Sequence, residues 1–76
     1  MDWEQEARRI LRAEMSRRGF TYKTLANKLE RMDIRETHKS VASKIGRGTF
    51  SFAFFLQAMR AMGAQQVDIS PLEGDE

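Results

Sequence analysis

Apolar residues recur with the spacing of one helical face in four stretches of the chain. The first stretch predicts a helix from about 3 to 18, with Asp2 as its N-cap and Gly19 as its left-handed stop. The second stretch predicts a helix that begins at its cap, Thr21, and ends near Met32. Both helices therefore have marked ends.

Two shorter helices follow in the same way. The third is predicted to begin at its cap, Thr37, and to end at Gly46 and Gly48, because glycine is poor in a helix interior and good at a helix end. The fourth is predicted to begin after its cap, Ser51, and to end near Met62.

The fourth helix has more apolar surface than a monomer of this size needs. Its predicted core stripe consists of Phe52, Phe55, Leu56, Met59 and Met62. A second, partly apolar strip consists of Phe54, Ala58 and Ala61. The second strip predicts a homodimer interface.

The pattern changes after the fourth helix. Residues 66–69 alternate polar and apolar, which predicts a short strand whose Val67 and Ile69 extend the homodimer interface by pairing across a two-fold axis. Residues 71–76 are predicted to be an acidic, flexible tail. The chain is therefore predicted to be a single all-α domain over residues 1–70, a compact bundle of four to five short helices with a short C-terminal strand.

The net charge of +2 is distributed unevenly. Residues 8–47 hold twelve lysines and arginines against four acidic residues, which gives +8, whereas residues 1–7 and 48–76 carry −3 each. A basic centre between acidic ends is expected of a surface that meets a polyanion, and equally of a well-solvated helical protein. Charge alone leaves both interpretations open.

The sequence offers little for catalysis. It has no cysteine and a single histidine, His38, which lacks an obvious carboxylate to orient it and is predicted to be a half-buried helix residue. The sequence also lacks a metal-ligand pattern and a phosphate-binding glycine loop, so we expect no enzyme, no metal or cofactor and no small-molecule substrate. Short apolar runs and an acidic N-terminus exclude a membrane span and a signal peptide, and together predict a cytoplasmic protein.

The second and third predicted helices, joined by a polar connection, resemble a helix-turn-helix. The sequence resembles in particular the λ-repressor-like, Xre-type family, whose second helix opens with Gly, an apolar residue, Ser or Thr, three variable residues and Leu-Ala. Residues 19–26, Gly-Phe-Thr-Tyr-Lys-Thr-Leu-Ala, fit this opening. Residues 40–48 are similar to the recognition helix of that family, and residues 55–64 to the helix after it. The chain also resembles a small bacterial domain family of this type that has no assigned function.

The resemblance implies a small bacterial transcriptional regulator that binds double-stranded DNA as a homodimer. Its third helix, about 37–46, is then expected to enter the major groove. The base-facing positions of the family fall on Lys39, Ser40, Ser43 and Lys44, and the phosphate-facing positions fall on Tyr22, Arg47 and Thr49.

Two departures from the family pattern matter. Tyr22 stands where the family usually has Gln, although a phenol can also donate to a phosphate. The connection between the second and third helices is about six residues longer than the usual short turn, and it lacks glycine. A second hypothesis therefore stays open, a protein-protein interaction module on the same scaffold that does not bind DNA.

Overall fold

The computed structural model describes residues 2–71 and has four α-helices. They are α1 (Trp3–Arg18), α2 (Tyr22–Arg31), α3 (His38–Arg47) and α4 (Phe52–Ala61). All four lie close to their predicted bounds, and the predicted all-α bundle is confirmed. The described part of the chain contains no strand.

Each helix begins where a side-chain oxygen accepts a hydrogen bond from the backbone N–H three residues further on. The accepting residues are Asp2, Thr21, Thr37 and Ser51. In return, the Thr24 hydroxyl accepts from the Thr21 backbone N–H and the Ser40 hydroxyl accepts from the Thr37 backbone N–H, so both N-termini form capping boxes. Residues within a single turn therefore fix where each helix starts.

Three helices end at glycines in the left-handed region: Gly19 after α1 (φ 75°), Gly48 after α3 (φ 70°) and Gly63 after α4 (φ 77°). Gly48 is also buried, and a Cβ built on it would lie 2.1 Å from the carbonyl oxygen of Glu4. The first turn of α1 therefore rests on the backbone at the end of α3. Beside this contact, Arg8 Nη1 donates to the Gly46 carbonyl oxygen at 2.6 Å, which gives one of the last carbonyls of α3 a partner.

The core lies where α3 packs against α1 and α2, and where α4 packs against α2. Its buried side chains are Leu11, Met15, Leu25, Ala26, Leu29, Val41, Ile45, Phe54, Ala58, Met59 and Met62. Phe20 and Phe50, which precede the caps of α2 and α4, pack against the edge of this core. The Phe50 and Phe55 rings stack with their centroids 6.4 Å apart and clamp the start of α4, as a hydrophobic staple does.

The strip of α4 that faces the core is only partly the predicted one: Met59 and Met62 are buried as predicted and Phe55 packs against the core, but the other two predicted residues do not. Phe54 and Ala58 are 4% and 0% exposed, whereas Phe52 and Leu56, which were expected in the core, are 73% and 52% exposed. Because α4 is apolar on most of its circumference, its pattern does not select a face, and packing against α2 decides. The prediction that Phe54 and Ala58 lie at a homodimer interface is therefore wrong, since the core of the same chain takes up both side chains. Ala61, the third residue of that strip, packs half-buried against the core.

The predicted strand over residues 66–69 does not form. A strand needs a neighbouring strand for its hydrogen-bond ladder, and the described part of the chain supplies none. The segment is instead held to α1 by Arg9 Nη2, which donates to the Ser70 carbonyl oxygen at 2.9 Å. Of the predicted tail over residues 71–76, residues 72–76 lie outside the described residues.

Replacing Gly48 by alanine should destabilise the fold more than replacing Gly19. Both substitutions put a Cβ into the left-handed region, at a cost of about 1–2 kcal/mol. Only the Cβ at Gly48 also meets backbone, the Glu4 carbonyl oxygen. Because relief of that clash moves α1 away from α3, we expect Gly48→Ala to lower the free energy of unfolding by a further ~1–3 kcal/mol. Urea unfolding followed by circular dichroism measures both losses.

Gly19→Ala is the matched control, because a Cβ at Gly19 meets nothing within 4 Å. The two glycines have nearly the same φ, so the difference between the two variants isolates the contact between α1 and α3. Equal losses of stability would show that this contact does not constrain the fold.

Candidate nucleic-acid interface

The burial of Val41 and Ile45 fixes the orientation of α3 and leaves its opposite face in solvent. The exposed residues of α3 are His38, Lys39, Ser43, Lys44 and Arg47. The prediction of a half-buried His38 is wrong, because this residue is the first of the helix and precedes its first buried turn.

Lys39, Ser43 and Arg47 follow one another at four-residue intervals on this exposed face, and the row is termed here the α3 stripe. Within residues 2–71, neither the Lys39 nor the Arg47 side chain forms a hydrogen bond or an ion pair. Both cationic groups are therefore accessible to an external ligand. Two of the predicted base-facing residues and one predicted phosphate-facing residue thus share one row.

The other two predicted base-facing residues are held by a carboxylate from the connection before α3. Ser40 Oγ donates to Glu36 Oε1 at 2.6 Å, and Lys44 Nζ forms an ion pair with Glu36 Oε2. Lys44 Nζ also lies over the Phe54 ring, 5.0 Å from its centroid, in a cation–π contact. Ser40 and Lys44 therefore lie on the flank of α3 beside the connection and α4, and do not belong to the α3 stripe.

The Glu36 side chain is only 9% exposed, yet its pKa lies below the ordinary value of 4.5. Burial raises the pKa of this carboxyl, but hydrogen bonds from Lys44 and Ser40, together with the Lys44 charge, outweigh burial and lower it. Glu36 is therefore ionised near neutral pH and neutralises one cation of α3. Sequence reasoning missed Glu36, because its partners lie four and eight residues later and meet it only once the chain turns into α3.

The predicted phosphate-facing residues come from three segments. Tyr22 is the first residue of α2, Arg47 is the last of α3, and Thr49 is exposed in the loop before α4. The Tyr22 hydroxyl accepts a hydrogen bond from Arg12 Nε of α1 at 3.1 Å, so its own proton is available to a further acceptor. Nothing in the sequence pattern indicated Arg12, because this contact spans the turn between α1 and α2.

Acidic residues are absent from long stretches of the sequence, although the first turn of α1, which contains Glu4 and Glu6, lies against Gly48 at the end of α3. No acidic residue occurs between residues 37 and 67, or between residues 15 and 29. Glu36 lines a groove beside the start of α3 together with Glu30 and Asp33.

Part of the basic excess is neutralised within α1. The buried Glu14 pairs with Arg17 and Arg18, and Glu6 pairs with Arg9. These arginines stabilise α1 through contacts three or four residues apart. The charge of +8 over residues 8–47 therefore overstates the number of cations that a ligand can reach.

Among residues 2–71, no three histidine, aspartate or glutamate side chains lie close enough together to hold a metal ion. None of the helices in this part of the chain has both the length and the apolar character needed to cross a membrane.

The model of one protein family matches most of the chain. It is described as a domain of unknown function, DUF6471, and it matches residues 3–67, from the start of α1 to the segment after α4. No curated protein and no solved structure matches the chain significantly.

Replacing Lys44 by methionine should raise the pKa of the Glu36 carboxyl, because the variant removes the ion pair and its hydrogen bond but retains burial. In the native chain the pKa of Glu36 is lower in the folded state than in the unfolded state. The contact therefore stabilises the fold fully at pH values above the unfolded pKa of about 4.5, and this stabilisation is lost as the pH falls through the folded-state pKa. NMR titration of the carboxyl carbon measures the pKa directly. Urea unfolding at about pH 7 and about pH 3 measures the linked stability.

Lys39→Met is the matched control, since it removes a lysine of α3 that has no contact with Glu36. The control should leave the pKa of Glu36 nearly unchanged. If the pKa of Glu36 were the same in the Lys44→Met variant as in the native chain, the result would contradict the contact between Glu36 and Lys44.

Proposed function

This chain belongs to the DUF6471 family, whose description leaves its function open, and we propose that it binds double-stranded DNA through the outer face of α3. The observation that carries the proposal is the α3 stripe. Lys39, Ser43 and Arg47 share one exposed row, and neither cation forms an ion pair with a described side chain. The major groove of B-DNA admits an α-helix and presents hydrogen-bond acceptors to such a row.

The α3 stripe combines groups that read bases with groups that hold phosphates. Lys39 can donate to O6 or N7 of guanine, and the Ser43 hydroxyl can serve several bases. Arg47, at the end of α3, suits a phosphate at the edge of the groove. Because the centre of the stripe lacks Arg, Asn or Gln, we expect modest sequence discrimination and a large, salt-dependent phosphate contribution.

Tyr22 and Arg12 offer a second phosphate anchor at the start of α2. Arg12 positions the Tyr22 hydroxyl, and both groups retain protons for a phosphate oxygen. Thr49 offers a third anchor in the loop before α4. Contacts from three segments would fix the orientation of α3 in the groove more firmly than α3 alone.

The resemblance to the λ-repressor-like family supports the same function. The helices α2 and α3 pack together and are joined by residues 32–37. In a helix-turn-helix the first helix crosses the DNA backbone while the second enters the groove. The chain is accordingly proposed to be a bacterial transcriptional regulator that acts as a homodimer and presents two copies of α3 to successive major grooves.

One observation favours a second candidate function. Glu36 belongs to the connection of residues 32–37, which is two or three residues longer than a usual three- to four-residue turn and not six longer as predicted. Its carboxylate binds Ser40 and Lys44. A carboxylate at the start of α3 opposes a polyanion and suits a protein partner. The alternative is therefore a protein-protein interaction module on the same scaffold.

Binding to duplex DNA should depend on the α3 stripe. We expect the double variant Lys39→Ala, Arg47→Ala to bind more weakly. Loss of the Lys39 base contact should reduce the binding free energy by roughly 1–3 kcal/mol, and loss of the Arg47 phosphate contact should lower the salt slope by about 1. Fluorescence anisotropy with labelled duplex DNA at several salt concentrations measures both quantities. Circular dichroism establishes that the variant is folded.

Arg17→Ala is the matched control. Arg17 pairs with Glu14 and lies about 140° around α1 from Arg12, so its loss should change neither the affinity nor the salt slope. Equal binding by the native chain and the double variant, or no binding at about 50 mM salt, would favour the interaction module.

Removing the Glu36 charge should strengthen DNA binding. Glu36→Gln preserves the shape of the side chain but releases Lys44 from its ion pair, so one more cation reaches the DNA and the salt slope steepens by about 1. The same anisotropy titration measures the change. Since unfolding does not produce a gain in affinity, the result separates this effect from damage to the fold. Unchanged or weaker binding would contradict the neutralising role of Glu36.

A further inference from the structure

An exposed row of a different kind lies on α4. Phe52 and Leu56 are strongly exposed, and Arg60 continues the row four residues later. Within residues 2–71, the Arg60 side chain forms no hydrogen bond or ion pair. Large apolar side chains exposed in a row, next to an unused cation, are typical of a surface that contacts a partner. These three residues are termed here the α4 row.

A groove borders each end of the α4 row. The groove beside Phe52 has a volume of about 360 Å³ and includes Ile69 in its apolar lining. The groove beside Arg60 has a volume of about 600 Å³ and includes Met59 and Gly63. Each end of the row therefore has a protruding side chain and an adjacent recess.

The α4 row can pair with the α4 row of a second copy that runs in the opposite direction. If two α4 helices meet antiparallel with Leu56 on the two-fold axis, Phe52 of each copy faces Arg60 of the other. Phe52 and Arg60 are eight residues apart, about 12 Å along a helix, so both ends align at once. A guanidinium over an aromatic ring is favourable, and the two leucines bury apolar surface between them.

The charge of this surface also favours a second copy in the antiparallel arrangement. Arg60 is the one charged residue of α4, so its guanidinium carries the charge of the row. The antiparallel arrangement holds the two guanidinium groups at opposite ends of the contact. A parallel arrangement would bring them together and leave both without an aromatic partner.

We propose that two copies of this chain associate through the α4 row, with Leu56 on the two-fold axis and Phe52 of each copy against Arg60 of the other. This interface replaces the predicted strip of Phe54, Ala58 and Ala61 by a neighbouring strip of the same helix. The proposed interface identifies a second copy of the chain as the partner in the proposed DNA-binding function. It is inferred from the surface of α4 and does not depend on DNA binding. The contact is isologous, since the same patch serves both copies.

Sedimentation velocity of the full chain between about 1 and about 100 μM tests the contact. We expect the native chain to dimerise and Leu56→Lys to raise the dissociation constant at least about tenfold, because the substitution puts two charges on the axis. Met32→Lys is the matched control. Met32 is also an exposed apolar residue, but it lies at the end of α2, so its variant should dimerise normally.

Cysteine cross-linking tests the register. The chain has no cysteine, so an introduced thiol reports on one contact. On oxidation, Leu56→Cys is expected to form a disulfide-linked dimer. In a mixture, Phe52→Cys is expected to cross-link to Arg60→Cys more than either variant does to itself. The cross-linking measurement does not use Leu56→Lys, so it tests the interface even if that variant fails to fold.

Three results would overturn the interface: a monomer throughout the concentration range, a dimer that persists in Leu56→Lys, or no preference for the mixed cross-link. DNA anisotropy separates this proposal from the previous one. A dimer that binds no DNA overturns only the proposed DNA binding. A native monomer that binds DNA overturns the interface and the homodimeric form of the regulator, but not DNA binding through the α3 stripe.

Discussion

The contact between the first turn of α1 and the end of α3 helps to set the position of the α3 stripe. The α3 helix has ten residues and buries Val41 and Ile45, which is little for a helix whose length is marginal in water. The close approach of Glu4 to Gly48 adds a backbone anchor at its far end, and Arg8 adds a hydrogen bond there. The exposed row on the opposite face of α3 owes its orientation to the burial of Val41 and Ile45 together with these anchors.

The helix ends follow from the sequence because each one depends on residues within a single turn. Thr21 and Thr37 show this, since each binds a backbone N–H three residues away. The inward face of α4 does not follow, because Phe52 and Phe54 are equally apolar and only packing against α2 distinguishes them. The candidate site was likewise predictable in part. Periodicity places Lys39 on the surface, but the contacts of Glu36 depend on how the chain enters α3.

The α3 stripe and the α4 row differ in chemistry, but the helices that carry them both pack against α2. The α3 stripe is cationic and polar, whereas the α4 row is mainly apolar. A two-fold contact through α4 would therefore fix the separation of two α3 helices through a single shared helix. In that arrangement the packing of α2 would determine which spacing of half-sites a dimer can reach.

Both capping boxes are built from hydroxyls, with Thr24 and Ser40 at the position that Glu or Gln usually occupies. The first turns of α2, α3 and α4 contain no acidic residue, whereas the first turn of α1 contains Glu4 and Glu6. Aligned peptide dipoles place a partial charge of about +0.5 at a helix N-terminus. The carboxylates of α1 compensate that charge, and the start of α2, beside Tyr22, retains it. In the proposed DNA-binding mode, part of the attraction for the polyanion would therefore reside in the peptide backbone, which neither titrates nor changes when a side chain is replaced.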